Sequence, residues 1–315
     1  MPAGEVIEVE TYRIRVSRGI VTGVELVTLR ITDSDGDGLI DRDEWAAHFA
    51  TGGVAKGHNA GENREGWLWH SERDGSRRNG DLYGATPFEE GENVTAILDT
   101  LDPNFSAVNP ALLIPAPVCF AAGTRIATPC GARRVEDLRA GDLVLTMDHG
   151  AQPVLWTGRR HLGAAQLDLR PDLRPIRIAA GALRPGLPRR DILLSPQHRV
   201  LIQDPRLNAP EGLLVSARLL LQAGWPGVST AREFAEVVYC HIALADHQIV
   251  LAEGAATESL FTGPVALRQI GPADRARLIR ALPALAEGKN PMTPARPFAR
   301  RGAFLRAMRG RVMAG

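Results

Sequence analysis

Between Asp33 and Glu44 the sequence sets oxygen donors at intervals suited to a hard divalent cation. Asp33, Asp35 and Asp37 supply carboxylates at alternate positions, Gly38 permits a sharp turn, and Leu39 offers its carbonyl. Asp41 would act through a water and Glu44 would close the shell with both oxygens, the donor pattern that holds Ca2+. Carboxylates gathered this closely repel one another unless a cation lies between them. A solvated acidic turn is the plain alternative. The other reactive groups are the thiols of Cys119, Cys130 and Cys240. Three cysteines cannot all pair within one chain and none form CxxC, so a disulfide framework is not expected; Cys119 and Cys240 read as a nucleophile or small buried thiols, and Cys130, in a predicted turn, is given no role.

The acidic spacing matches the EF-hand loop at every position. What precedes it reads as a strand, not as an incoming helix. A lone loop of this kind is expected to be a structural calcium clip, with affinity in the weak, extracellular range, and not a switch that opens a groove.

A longer pattern starts at Cys119. It runs through Gly123-Thr124, Ile126, Val135-Glu136-Asp137-Leu138, Gly141-Asp142-Leu143-Val144 and Gln152-Pro153-Val154-Leu155-Trp156 to Gly158-Arg159-Arg160. Ser195-Pro196-Gln197-His198 and Val238-Tyr239-Cys240 follow, with His247 seven residues beyond Cys240. Over residues 119–262 this closely resembles the bacterial branch of the Hint (hedgehog/intein) family. Ser195 stands for the threonine of that family's Thr-Xaa-Xaa-His motif, and Cys240 for its usual aspartate. The resemblance implies the all-β horseshoe of the family and an autocatalytic cleavage or transfer of a peptide bond in cis. It implies that His198 contacts and strains the scissile amide and protonates the leaving nitrogen, with Ser195 assisting by a hydrogen bond. Cys240 and His247 would line the same pocket.

The chemistry expected of it is an N-to-S acyl shift: the Cys119 thiol would attack the carbonyl of Val118 and turn the amide into a thioester. Because the attack is intramolecular, proximity supplies much of the barrier reduction. The thiol must lose a proton, the α-amine must gain one, and the oxyanion needs donors; histidine suits the proton work at neutral pH. The thioester then passes to water or to another nucleophile, an acceptor the sequence does not specify. Complete splicing is disfavoured, because Ser259 stands where an asparagine would have to cyclise. The plainer readings are a core thiol at Cys119 or Cys240 and a satisfied core histidine at His198. His241 is expected to face outward. No pair among these cysteines and histidines has structural-zinc spacing, so the reaction is expected to need no cofactor.

These residues need elements to position them. Residues 1–118 carry 20 Asp and Glu against 10 Lys and Arg, whereas residues 119–315 carry 16 against 27, a change that marks a domain boundary. An acidic N-terminal domain over 1–103 is expected, with two short strands (Val6–Val9 and onwards), a helix over Glu44–Ala50 and irregular structure over 51–82. A Pro-rich connector over 104–118 leads into the Hint domain at 119–262, where short apolar runs between turn clusters predict strands. Leu213–Gln222 and Ala273–Glu287 read as helices. A basic extension fills 263–315, and a solvated tail is expected at its end. The fold class is therefore mainly β, with a small α+β calcium-binding domain in front.

The remaining expectations are negative or environmental. No apolar run is long enough for a transmembrane helix, and the acidic start lacks the basic and apolar regions of a cleaved signal peptide. A loosely held calcium loop is useful where calcium is abundant, so export without a cleaved signal is expected, with the cytoplasm as the alternative. No nucleic-acid motif and no specific partner can be deduced. Two competing functions are a calcium-dependent binding module with an inert Hint scaffold, and a cysteine hydrolase acting in trans. The lack of cysteine-protease signatures weakens the second.

Overall fold

The computed structural model describes residues 2–49, 59–62, 66–71, 78–114, 116–262, 267, 270–287 and 292–309. The chain divides into two compact units, Met1–Pro115 and Ala116–Gly315.

In the first unit, apolar side chains at alternate positions sustain a long antiparallel hairpin, Glu5–Ser17 with Ile20–Asp33, where the sequence predicts only two short strands. Arg18 and Gly19, both at positive φ (53° and 79°), form a two-residue turn whose twist suits such a hairpin. Gly80–Gly84, Leu68–Ser71 and Asn59–Glu62 extend the ribbon to five strands. The irregular reading of 51–82 is corrected by these three strands, which its Gly, Asn and Asp content conceals; residues 51–58, 63–65 and 72–77 lie outside the described residues. The expected helix runs over Arg42–Phe49. The connector is corrected too. Ala107–Val108 pairs with Ile40–Asp41, and Pro110–Leu113 makes a 3-10 turn capped by Asn109. Phe105, Val108 and Leu113 belong to the first unit's core. Pro110 opens its turn instead of breaking it, because the first helical position needs no N–H.

The second unit is built from two antiparallel sheets. A six-stranded sheet runs in the order Trp156–Leu162, Val237–Ala243, Phe120–Ala121, Ile192–Leu194, Ile176–Ile178, Val228–Thr230. An eight-stranded, branched sheet includes Arg125–Thr128, Leu143–Thr146, Arg199–Ile202, Leu213–Ser216 and Ile249–Ala252. Ile126, Val144, Ile178, Val200, Ile242 and Val250 fill a shared core. Two helical expectations change, and so does that of a solvated tail. Leu213–Ser216 is a strand, and the helix begins only at Ala217, after Ser216 caps it by accepting from the Leu219 N–H. Ala273–Glu287 splits at Pro283 into a helix, Pro272–Ala281, and a 3-10 turn, Pro283–Glu287. The basic tail is no solvated strand of chain as far as Arg309: Arg301–Arg309 is a helix that buries Phe304 and Met308 in the unit's core. Arg311 and Met313 lie outside the described residues. No described helix is long and apolar enough to cross a membrane.

Candidate active site

Antiparallel register decides which side chains meet in the six-stranded sheet. Tyr239 pairs with Ala121 and Cys240 with Phe120. One step further, Cys119 lies opposite His241, on the face that Ala121 and Tyr239 share. On the far side of Val237–Ala243, Gly158 stands opposite His241 and Arg160 opposite Tyr239. Ser195 follows Leu194, the partner of Phe120. A single row, Gly158–His241–Cys119–Ser195, therefore crosses four neighbouring chain segments.

At its centre Cys119 is fully buried. Its Sγ lies 3.1 Å from His241 Nε2 and 3.5 Å from Nδ1. His241 also hydrogen-bonds the backbone of Val118. The Ser195 hydroxyl accepts from the Cys119 N–H at 2.7 Å and donates to the Pro117 carbonyl at 2.8 Å. The Ser195 N–H donates to the Cys119 carbonyl at 3.0 Å. The Val118–Cys119 amide is thus held at its nitrogen and flanked by bonds to the residues on either side. Burial pushes the Cys119 thiol well above its usual range. Burial also lowers His241 to about 4, against the bond to Val118, so its imidazole is neutral at pH 7. A neutral ring 3.1 Å from a thiol can take its proton as the sulfur attacks.

This geometry corrects the outward expectation for His241. It also moves Cys240, whose side chain lies on the opposite face and joins the core with Phe120 and Ile242. Burial raises its thiol to about 11. A one-residue shift in register flips a strand's side chains to the other face, so His241 takes the place the sequence pattern gave to Cys240. His198 is buried with its ring 4.2 Å from that of Phe120, and neither ring nitrogen has a hydrogen-bond partner among the described residues. Burial lowers it to about 4, although Glu258 pulls the other way. The contact with the scissile nitrogen comes from Ser195, not His198. His247 is fixed elsewhere: its Nδ1 accepts from the Ala295 N–H at 3.1 Å and its Nε2 lies 3.3 Å from Glu258. Burial would raise the Glu258 carboxyl, but Arg199, at 3.1 Å, and His247 outweigh it and hold the group ionised. Of this Arg199–Glu258–His247 group only His247 belonged to the sequence pattern; Glu258 is legible there only as the neighbour of Ser259.

Apolar walls keep the row dry. On one side Trp156 and Ala243 pack with Leu260, Leu278, Leu282 and Leu285, which brings the helix Pro272–Ala281 over the sheet. On the other side Ala116, Ala121, Leu162, Leu167, Leu173 and Tyr239 close around Cys119. Gly158 is required where it is, since a Cβ there would lie 2.1 Å from the Trp156 ring.

In the first unit, carboxylate oxygens of Asp33, Asp35 and Asp37 lie within 4.8 Å of one another. Asp33 accepts from the Gly36 and Gly38 N–H groups at 2.7 and 3.0 Å, and both glycines sit at positive φ. Such a set of hard oxygens fits a calcium ion. Asp33, Asp35, Asp37, the Leu39 carbonyl, Asp41 and Glu44 would hold it. Glu44 accepts from the Ser34 and Asp41 N–H groups, so closing the shell requires its oxygens to exchange those bonds for the ion.

No curated protein matches the sequence. Among solved structures, the bacterial intein-like domain from Clostridium thermocellum is 19% identical, with a TM-score of 0.30, over 45% of this chain and 98% of its own. The gp41-1 intein is 17% identical with a TM-score of 0.29, over 44% of this chain and 98% of its own. The MchDnaB-1 intein is 15% identical with a TM-score of 0.30, over 45% and 99%. The family model described as the Hint domain matches residues 118–264. It is this segment, carrying every side chain of the Gly158–His241–Cys119–Ser195 row, that matches the Hint domain family.

Proposed function

We propose that the second unit activates the Val118–Cys119 peptide bond by an N-to-S acyl shift, giving autocleavage or acyl transfer without full splicing. The observation that carries this reading is the neutral His241 ring, 3.1 Å from the Cys119 sulfur, in the same row as the serine that binds the Cys119 nitrogen. His241 takes the thiol proton while the sulfur adds to the Val118 carbonyl carbon, and its bond to the Val118 backbone steadies the developing oxyanion. Ser195 holds the amide nitrogen in place. The departing α-amine takes up the proton that the thiol gave to His241, so the shift is balanced with no other group changing its charge. Water or another nucleophile then takes the acyl group from sulfur. Alongside this, the loop Asp33–Glu44 is read as a calcium clip of the first unit, and the weak affinity of such loops is the reason for placing the protein outside the cell.

Intact mass of the purified chain, with and without added thiol, tests the reaction. The expected result is a break after Val118, accelerated by thiol and absent in Cys119→Ala. A wild-type chain that stays whole under prolonged thiol treatment would turn the reading over in favour of a calcium-dependent binding module on an inert scaffold.

A further inference from the structure

The arginines around the six-stranded sheet are nearly all paired. Arg159 donates to the Glu136 carbonyl, Arg170 to both oxygens of Asp172, Arg174 to Asp168, Arg177 to Glu233, and Arg218 to Asp172. Arg160 differs. Among the described residues no hydrogen bond or ion pair reaches it, although it is half-buried beside the closed apolar wall. Leaving a guanidinium partly out of water with no counter-charge is unfavourable, and the arrangement makes sense if something else supplies the anion.

Its place says what that would be. Arg160 stands opposite Tyr239 on the active face, one row from Gly158, His241 and Cys119. Two residues along a strand span about 7 Å. Cys119 itself is sealed from solvent, whereas Arg160 is partly exposed, so a molecule approaching the thioester from solvent meets the guanidinium beside the reacting centre. Its charge already acts on both Cys119 and His241.

We infer that Arg160 holds the anionic group of the incoming nucleophile, so that the acyl acceptor is a small thiol or amine carrying a carboxylate, sulfonate or phosphate a few bonds from its nucleophilic atom. This rests on the acyl-shift reading. In the transfer, the acceptor's sulfur or nitrogen adds to the Val118 carbonyl carbon and the bond from that carbon to Cys119 Sγ breaks. The proton lost by the acceptor returns the Cys119 sulfur to a thiol. The product is a Val118 thioester or amide of the acceptor, and nothing is oxidised or reduced.

The test measures release of residues 1–118 from the full chain by intact mass, with mercaptoethanesulfonate (anionic), 2-mercaptoethanol (neutral) and cysteamine (cationic) at equal thiolate concentrations. One favourable charge contact at this range predicts an anionic-over-neutral rate ratio of about ten, with cysteamine slowest, shrinking as salt is added. Arg160→Gln should bring the ratio to about one, and Arg160→Lys should keep most of it. A wild-type ratio near one overturns the inference while leaving the acyl shift standing. So does a ratio that survives in Arg160→Gln, which would make Arg160 a modulator of the thiol alone. No release with any thiol sinks both.

Discussion

Cys119 and His241 form a pair in which neither partner carries charge at rest. Burial raises the thiol well above its usual range and lowers the imidazole to about 4, so a standing thiolate–imidazolium pair is disfavoured. Proton transfer must then accompany sulfur attack, and a group that serves as base only in the transition state acts on rate. His241→Ala is expected to slow thiol-induced release about 100-fold or more, the usual range for a lost general base. Cys240→Ser, on the far face of the same strand, should change that rate far less, because its thiol packs in the core. Single-turnover cleavage followed by intact mass separates the two. Equal losses in both variants would mean that the face assignment is wrong.

At the scale of elements, the site depends on a glycine in the strand Trp156–Leu162. The Trp156 ring lies flush over Gly158 and joins the helix Pro272–Ala281 to the sheet through Leu278 and Leu282. Gly158→Ala puts a methyl carbon into that ring, a form of overpacking that costs about 1–3 kcal/mol. A thermal melt should show a lower midpoint, and cleavage should slow because His241, whose ring centre is 6.1 Å from that of Trp156, shifts with it. An unchanged midpoint would show that the helix does not bear on the sheet in this way. Strands of this unit such as Arg125–Thr128, Leu143–Thr146 and Arg199–Ile202 were legible as short apolar runs between turns. The split of Leu213–Gln222 was not, since LLV followed by SARLLLQ carries a helical pattern whose first turn is claimed by pairing with Arg199–Ile202.

For the whole molecule, two buried histidines set an acid limit. His198 and His241 both titrate near 4 when folded and near 6.5 when exposed, so their neutral forms favour the fold above about 6.5. That contribution is lost as pH falls from there through 4. The melting midpoint should drop over this window and recover in part when His198 is replaced by Gln; a midpoint flat from pH 7 to 4 would contradict their burial. Calcium is expected to act on the other unit. Saturating Ca2+ at about 100 times Kd should stabilise the first unit by about 2.7 kcal/mol, read as a rise in its melting midpoint. Asp33→Asn and Glu44→Gln should remove that rise, and a wild-type melt indifferent to Ca2+ would reduce the loop to a solvated turn.

The sequence by itself determined the chemistry available and the order of the parts: a calcium-type donor spacing at Asp33–Glu44, a change of texture before Cys119, and Cys119, Ser195 and His198 in a recognisable pattern. Those features are local, and spacing along the chain expresses them. Tertiary structure alone decided which side chains face the thiol. Tyr239, Cys240 and His241 are consecutive, and alternation says only that the first and third share a face. Which face that is depends on the pairing of Val237–Ala243 with Phe120–Ala121, a contact between segments more than a hundred residues apart. The tertiary fold likewise sets His247 against Glu258 and Ala295, leaves Arg160 without a partner among the described residues, and brings a helix beyond the Hint segment over Trp156. A residue's neighbours across a sheet are a property of register, and register is fixed by the packing of the whole unit.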